Sequence, residues 1–422
     1  MITEIRNATI VTVDAHDTVI EGGTVIIDHG VITEVLPAGV APSAPTDQVV
    51  DARGGIVMPG LVNAHAHLAM TLFRGYADDR DLQGFLDRLF PVEERVLSED
   101  TVRVGARLAF AESLRAGCTS ALDMFWWPDA SIDEAQQAGF RLQAGPIFIG
   151  FPGPDHTPFA GRIAKAERTG PHRWLFAHGT YTMTPDELGK VGELARRTGA
   201  RFHIHASEND SEVSDVRARY GRTPIELLDD HGLLGPTTVL AHAVVLSDDE
   251  VARLGETRTA VAHCPLSNMK LASGVCRVPD LLAAGATVGL GTDGCASSND
   301  LDLFIGMRMA ALLHKGVRKD ATLLPAPTVL RMATIGSAQA LGIDHLVGSI
   351  EVGKRADLVR LDPDSPSLTP SFDAASTVVY AASRADVLDV WVDGKQVVDN
   401  RSLTTIDLPA TLALVREIIA RF

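Results

Sequence analysis

The sequence predicts an α/β fold: a (β/α)8 TIM-like barrel inserted into a small β-sandwich built from both chain ends. Three observations predict it. Eight strand candidates alternate with helical stretches between residues 56 and 345, which is the pattern of a parallel barrel. The flanking segments, 1–55 and 346–422, read instead as short strands joined by tight turns. No Gly-rich phosphate loop follows the first strand of the middle segment, where Pro59-Gly60 runs into histidines. A doubly wound open sheet would carry its phosphate loop there.

The elements follow in order. IRNATIVTV, TVIIDHGVITEVLP and QVVDARGGIVMP alternate apolar and polar residues, with Asp28-His29-Gly30 as a tight turn. The barrel strands are GIVMPGLVNAHAHL, TSALDMF, FRLQAGPIFI, RWLFAHGTY, RFHIHASE, TTVLAHAV, TAVAHCPLSN and ATVGLGTDG. Between them EDTVRVGARLAFAESLRAG, TPDELGKVGELARRTG and LSDDEVARLGE read as helices. Thr184-Pro185-Asp186-Glu187 and Ser247-Asp248-Asp249-Glu250 supply a capping hydroxyl followed by early acids. The tail returns to hairpins, GSIEVGKRADLVRLD and DVLDVWVDGKQVVDN with an Asp393-Gly394 turn, and closes on the amphipathic LPATLALVREIIARF. Two domains result: 1–55 with 346–422, and a 56–345 barrel inserted between them.

Composition narrows the function. The chain has 422 residues, 45% hydrophobic and 22% charged, an ordinary globular composition that excludes disorder, collagen-like repeats and coiled coil. Lys and Arg number 38 against 54 Asp and Glu, a net charge of −16. Such a chain repels phosphate, so neither nucleic acid nor an anionic membrane is expected as a partner. The 4 cysteines form no C-x-x-C, which fits a reducing cytoplasm. Glu4, Arg6 and Asn7 stand where a signal peptide would build its apolar stretch, and no run approaches the ~18 apolar residues of a spanning helix.

Polar residues gather where the barrel strands end, the face on which barrel active sites lie. His65 and His67 stand at i and i+2 on the first strand and so share one side. A lone H-x-H is a weak signal that reads sooner as two polar strand-end residues than as a metal pair. The fifth strand ends His203-Ile204-His205-Ala206-Ser207-Glu208, the sixth at His242 and the eighth at Asp293-Gly294. Four strand ends thus aim imidazoles and carboxylates at one mouth. Three imidazoles and a carboxylate suit zinc or ferrous iron, with a position left for water. No lysine ends the fourth strand, where a carbamylated one could bridge a second metal; His178 stands there. One divalent cation per chain is therefore expected.

The runs PGLVNAHAHLAMTLFRGYADD, HASE, LAH, PLSNMKLASG and GLGTDGCASSNDLDLF, in this order, resemble the amidohydrolase superfamily. Within it the chain is most similar to the S-adenosylhomocysteine/5′-methylthioadenosine deaminase and chlorohydrolase branch, and the resemblance extends to the LPAPTVLRMATIGSAQALG helix. It implies that His65, His67, His205 and Asp293 hold the metal. It implies that Glu208 and His242 transfer protons and polarise, Glu208 also touching substrate, and that His178 contacts substrate. The nucleoside deaminases of the branch carry a Glu-Trp pair after the first strand whose carboxylate meets the ribose hydroxyls. This chain has Leu82-Gln83-Gly84-Phe85-Leu86 there: counting back from Pro91 puts Gln83 at the carboxylate's place and aligning aromatic on aromatic puts Gly84 there, and Gln83, whose amide can still bond a hydroxyl, is the expected substrate contact.

The expected reaction is hydrolytic deamination of an amino-substituted N-heteroaromatic ring, of an adenosine-type nucleoside or other purine-like compound. The alternatives are expulsion of chloride or alkylamine from a triazine-like ring, and deamination of a free oxopurine or pterin. A homo-oligomer, dimer or higher, is expected. Asp123 reads equally as a support for a ligand histidine and as a barrel hydrogen bond, and Phe125-Trp126-Trp127 as pocket wall or interface. His203 reads as a supporting group rather than a ligand. His16, His29, His156, His231, His314 and His345 read as solvated, and Cys295 as a thiol without an activating base.

Overall fold

The computed structural model describes residues 1–170 and 172–421. Five strands precede the barrel: β1 (Ile2–Val11), β2 (Val19–Asp28), β3 (Val31–Leu36), β4 (Gln48–Asp51) and β5 (Ile56–Pro59). Ten follow: β6 (Leu61–His67), β7 (Cys118–Asp123), β8 (Arg141–Gln143), β9 (Ile147–Phe148), β10 (Trp174–Gly179), β11 (Arg201–Ala206), β12 (Thr238–His242), β13 (Ala260–His263), β14 (Val288–Leu290) and β15 (Asp293–Gly294). The last four are β16 (Leu358–Leu361), β17 (Val387–Val392), β18 (Lys395–Asp399) and β19 (Ser402–Leu403).

Strands from both ends share one nine-stranded sheet, in the order β19-β18-β17-β16-β5-β1-β2-β3 with β4 beside β1. Met58 of β5 pairs antiparallel with Val359 of β16. The sheet curls around Ile5, Ile10, Val25, Ile32, Leu358 and Trp391, which form one buried cluster. The β2–β3 and β17–β18 turns meet, since a Cβ at Gly30 would lie 2.3 Å from the Asp393 carbonyl oxygen.

The middle strands run parallel in two arcs, β15-β6-β7-β8 and β9-β10-β11-β12-β13-β14. The arcs join through two interrupted strands and so complete the predicted barrel. FRLQAGPIFI breaks into β8 and β9 at Ala144-Gly145-Pro146, and ATVGLGTDG into β14 and β15 at Gly291-Thr292. Pro146 brings no N–H to a ladder. A Cβ on Gly145 would lie 2.3 Å from the Trp174 carbonyl oxygen, too close for any side chain. The N–H groups of Gly291 and Thr292 still reach the His263 and His65 carbonyls, at 2.9 and 3.1 Å. GIVMPGLVNAHAHL is also two strands rather than one. At Gly60 the chain leaves the terminal sheet for the barrel, where a Cβ would lie 2.3 Å from the Thr119 hydroxyl oxygen.

Alternate strand residues fall into different buried clusters. Leu175, Ile204, Leu240 and Val261 belong to one, and Trp174, Phe176, Val239 and Ala262 to another. Both faces of these strands are covered, as a parallel barrel requires. Two helices precede β7: α1 (Leu82–Val96) and α2 (Glu99–Arg115). The two predicted helix starts are full capping boxes, Thr184 with Glu187 and Ser247 with Glu250. The LPAPTVLRMATIGSAQALG stretch is two helices broken at Thr334. The closing helix spans Leu408–Ile419; Phe422, where its predicted span ends, lies outside the described residues.

Arg141 of β8 ties barrel to sheet. Its guanidinium donates to Asp357 at 2.9 and 3.1 Å and to Asp393 at 2.6 Å. His314 departs from its expected solvated state: it is buried, between the carbonyls of Ala310 and Cys276. Among the described residues no helix is long and apolar enough to cross a membrane.

Candidate active site

The site lies at the carboxyl ends of the barrel strands. On β11, Phe202, Ile204 and Ala206 pack into one apolar cluster, so the two-residue period turns His203 and His205 to the other face. His65 and His67 close β6, His242 closes β12 and Asp293 opens β15. Three backbones here are left-handed: φ is 51° at Ser207, 70° at His242 and 60° at Asp293. Such conformations in non-glycine residues carry strain and cluster at functional sites.

Four of these residues converge. His67 Nε2 and His65 Nε2 each lie 3.2 Å from His205 Nε2. Asp293 Oδ1 lies 3.3 Å from His65 Nε2 and 3.2 Å from His67 Nε2. The four ligand atoms all fall within 4.8 Å of one another, and all four residues are buried. Each side chain is held from behind. His67 Nδ1 donates to the Met124 carbonyl at 2.5 Å, and His205 Nδ1 to the His178 carbonyl. His65 Nδ1 faces His203 Nε2 at 2.8 Å. The hydroxyls of Ser267 and Ser297 donate to Asp293 Oδ2 at 2.6 and 2.5 Å, leaving Oδ1 for the centre.

This donor set fits a divalent transition metal. A carbonyl only accepts, so His67 and His205 carry their hydrogens on Nδ1 and turn bare Nε2 lone pairs inward. Lone pairs and a carboxylate oxygen facing one another repel unless a cation stands between them. A tetrahedral shell with bonds of about 2.0–2.1 Å has edges of about 3.3–3.4 Å, close to the four separations given above. Burial holds the His65 ring down, to about 4, and the His205 ring well below its ordinary value. Burial works to raise the Asp293 carboxyl, but the His65 and His67 rings facing its Oδ1 outweigh it and hold it well below the usual range.

Around this cluster stand the other polar groups. Glu208 and His242 approach to 4.0 Å. Burial raises the Glu208 carboxyl. Its backbone N–H donates to Glu212 at 2.6 Å, and Glu212 also accepts from the Thr180 hydroxyl at 2.5 Å. His242 Nδ1 bonds Asn268 Oδ1 at 2.8 Å. The His178 ring lines the cavity with Tyr181 and Phe90 beside it, and desolvation pushes it down to about 3. Among the described residues Asp123 bonds no imidazole; it accepts the Leu68 N–H at 2.8 Å and so pins the chain just after His67. Phe125 and Trp126 line the cavity. Burial pushes the Cys295 thiol up, away from any nucleophilic role.

One expected residue is elsewhere. Gln83 is exposed on α1, where its amide donates to Asp87 at 2.7 Å, and it does not line the cavity. The carboxylate of α1 that lines the cavity is Glu93, one helical face away. Leu82, Phe85, Leu89 and Glu93 share the buried side of α1 and line the cavity. Glu93 is 2% exposed, with Trp126 Nε1 at 3.5 Å from one carboxylate oxygen and, among the described residues, no hydrogen-bond partner for the other. Burial pushes it up to about 7. The signal was in the sequence: a carboxylate at i+4 and i+11 from apolar residues of one helical stripe. Ser267, Asn268 and Glu212 were likewise missed, although PLSN and NDSE carry them.

The profile of the amidohydrolase family matches residues 56–397. The chain is 41% identical to a 5-methylthioadenosine/S-adenosylhomocysteine deaminase of Syntrophobacter fumaroxidans, over 98% of this chain and 96% of the relative. It is 41% identical to a 5′-deoxyadenosine deaminase of Methanosarcina mazei, over 96% and 94%. Among solved structures, an adenosine deaminase from Xanthomonas campestris with bound zinc matches with a TM-score of 0.94 at 38% identity, over 99% of this chain and 98% of that one.

Proposed function

The chain belongs to the amidohydrolase family, and on that premise we propose that it hydrolyses the ring amino group of an adenosine-type nucleoside and releases ammonia. The observation that carries the reading is the convergence of His65, His67, His205 and Asp293 beside Glu208 and His242, in a cavity that also holds Glu93. Relatives similar to this chain over nearly their full length deaminate 5-methylthioadenosine, S-adenosylhomocysteine and 5′-deoxyadenosine by name.

In this reading His65, His67, His205 and Asp293 hold one divalent cation, zinc ahead of ferrous iron. When bound, such a cation lowers the pKa of a water to about 7 and so makes a nucleophile available at neutral pH. Glu208 accepts the proton of the attacking water and delivers it to the ring nitrogen beside the amino-bearing carbon. His242 hydrogen-bonds the oxygen that adds to that carbon and steadies the tetrahedral adduct. Glu208 then takes the proton of the added hydroxyl and passes it to the leaving nitrogen, ammonia departs and a ring carbonyl remains. His178 contacts the ring. Glu93 replaces Gln83 as the group that reads the ribose hydroxyls, because its unpartnered oxygen is an acceptor inside the cavity. The same reading takes a free small molecule as substrate, with neither nucleic acid nor membrane as partner, in the cytoplasm and in a homo-oligomer.

Ammonia release across adenosine analogues, free aminopurines, pterins, cytosines and triazines tests the reading. Turnover of 5′-substituted adenosines with ammonia as product is expected. Chloride release from a chlorotriazine without any deamination overturns it, and turnover of free bases alone moves the substrate class. Glu93→Ala should raise KM for the nucleoside far more than for its free base. A lost hydrogen bond in a dry pocket is worth about 1–3 kcal/mol, or roughly 5- to 150-fold.

A further inference from the structure

We propose that His203 is a positioning residue: it sets the tautomer of His65 and thereby the metal affinity of the centre. This rests on the ligand set proposed above. His203 is fully buried, and its ring stands perpendicular to that of Phe176, with centroids 5.6 Å apart and planes at 90°. Its Nδ1 lies 2.8 Å from the Val239 carbonyl oxygen. A carbonyl cannot donate, so the hydrogen of that bond belongs to His203 Nδ1. A neutral imidazole has one N–H, and His203 Nε2 is therefore a bare acceptor. That acceptor sits 2.8 Å from His65 Nδ1. His65 must then carry its own hydrogen on Nδ1, which leaves Nε2 bare and turned toward Asp293 and His205.

The contrast with the other two imidazoles makes the relay testable. His67 and His205 give their Nδ1 hydrogens to backbone carbonyls, those of Met124 and His178. No side-chain substitution removes those acceptors. Among the described residues, His65 is the one histidine of the cluster whose outer partner is a side chain. The orientation of a main-chain carbonyl on β12 is thus passed through His203 on β11 to a strand on the far side of the barrel, β6. Outer partners of this kind tune ligand basicity and orientation, and losing one typically weakens metal binding about 10- to 100-fold.

The test is zinc affinity by competition with a chelating dye, on folded wild type, His203→Leu, His203→Gln and His65→Ala. His203→Leu keeps the bulk and removes the relay; zinc should bind about 10- to 100-fold more weakly. His203→Gln can donate from its amide to Val239 and accept from His65 at its oxygen, and should recover affinity to within a few-fold. Wild-type affinity in His203→Leu overturns the proposal. So does equal weakening in the Leu and Gln variants, which marks a packing role. His65→Ala separates the premise: if it alone leaves zinc binding untouched, the ligand set is wrong rather than the relay. Should His203→Leu not fold, long-range proton–nitrogen spectra of the zinc-loaded wild type read the tautomers directly. Hydrogens on Nδ1 of both His65 and His203 are expected, and a His203 ring protonated at Nε2 overturns the relay.

Discussion

Ser207 turns the chain through a left-handed backbone at φ 51°, and Glu208 is thereby carried over the histidine cluster without joining it. That geometry separates two kinds of substitution. Glu208→Gln keeps size and shape but cannot move a proton, so metal content should stay at the wild-type level while kcat falls by about 10²–10⁴. Loss of metal together with activity would make Glu208 a ligand and sink the assignment. His65→Ala should instead strip most of the metal, read by elemental analysis of the purified protein, because three donors hold a cation far less well than four. The histidines and Asp293 were legible because strand ends put side chains at fixed positions: once the strand is known, the two-residue period says where each imidazole goes. Glu93 is legible only once Leu82–Val96 is taken as a helix, because its place depends on the rotation of the stripe that Leu82 and Leu89 define. A carboxylate one face off from Gln83 lands in the cavity, and Gln83 lands in water.

At the scale of elements, the barrel is held together at its interruptions. Strand order and helix starts were readable from alternation and from the Thr184 and Ser247 caps, since both signals are local. The breaks in the third and eighth strands were not, since they depend on what a neighbouring strand leaves room for. Gly60 is the sharpest case. It sits at the crossing from β5 to β6 with its missing Cβ pointed at Thr119, 2.3 Å from the hydroxyl oxygen. Gly60→Ala should therefore force strand displacement and cost about 1–3 kcal/mol, the usual range for overpacking. Thermal melting checks this. A companion change, Thr119→Ser, removes the Cγ2 that a Cβ at Gly60 would meet at 2.4 Å, and should restore part of the loss. An unchanged melting temperature for Gly60→Ala would mean that the crossing is looser than these distances imply.

For the whole molecule, the joint between barrel and terminal sheet rests on a buried charge. Asp357 is 3% exposed and is compensated by Arg141, which comes from the barrel. Arg141→Met keeps the apolar stem and removes the charge. Breaking such a pair costs about 3–5 kcal/mol, and the cost should depend on pH in a definite direction. Burial raises the Asp357 carboxyl and Arg141 lowers it, so the variant raises it further. A carboxyl whose folded value lies above its unfolded one stabilises the fold while protonated, and loses that contribution as pH rises through the folded value. The melting temperature of Arg141→Met should thus fall further below wild type at pH 8 than at pH 5.5, and a pH-independent deficit would place the damage elsewhere. The pairing of β5 with β16 carries a last consequence, which concerns time. Met58 and Val359 are neighbours in the finished sheet, yet about 300 residues of synthesis lie between them. At about 5–20 residues per second, β5 leaves the ribosome roughly 15–60 s before the strand that completes its edge. Throughout that interval β1–β5 present an apolar, half-paired ribbon to the cell while the catalytic barrel grows beyond it. A chain halted anywhere before β16 carries that open edge for as long as it survives, which makes incomplete copies of this protein natural clients for chaperones.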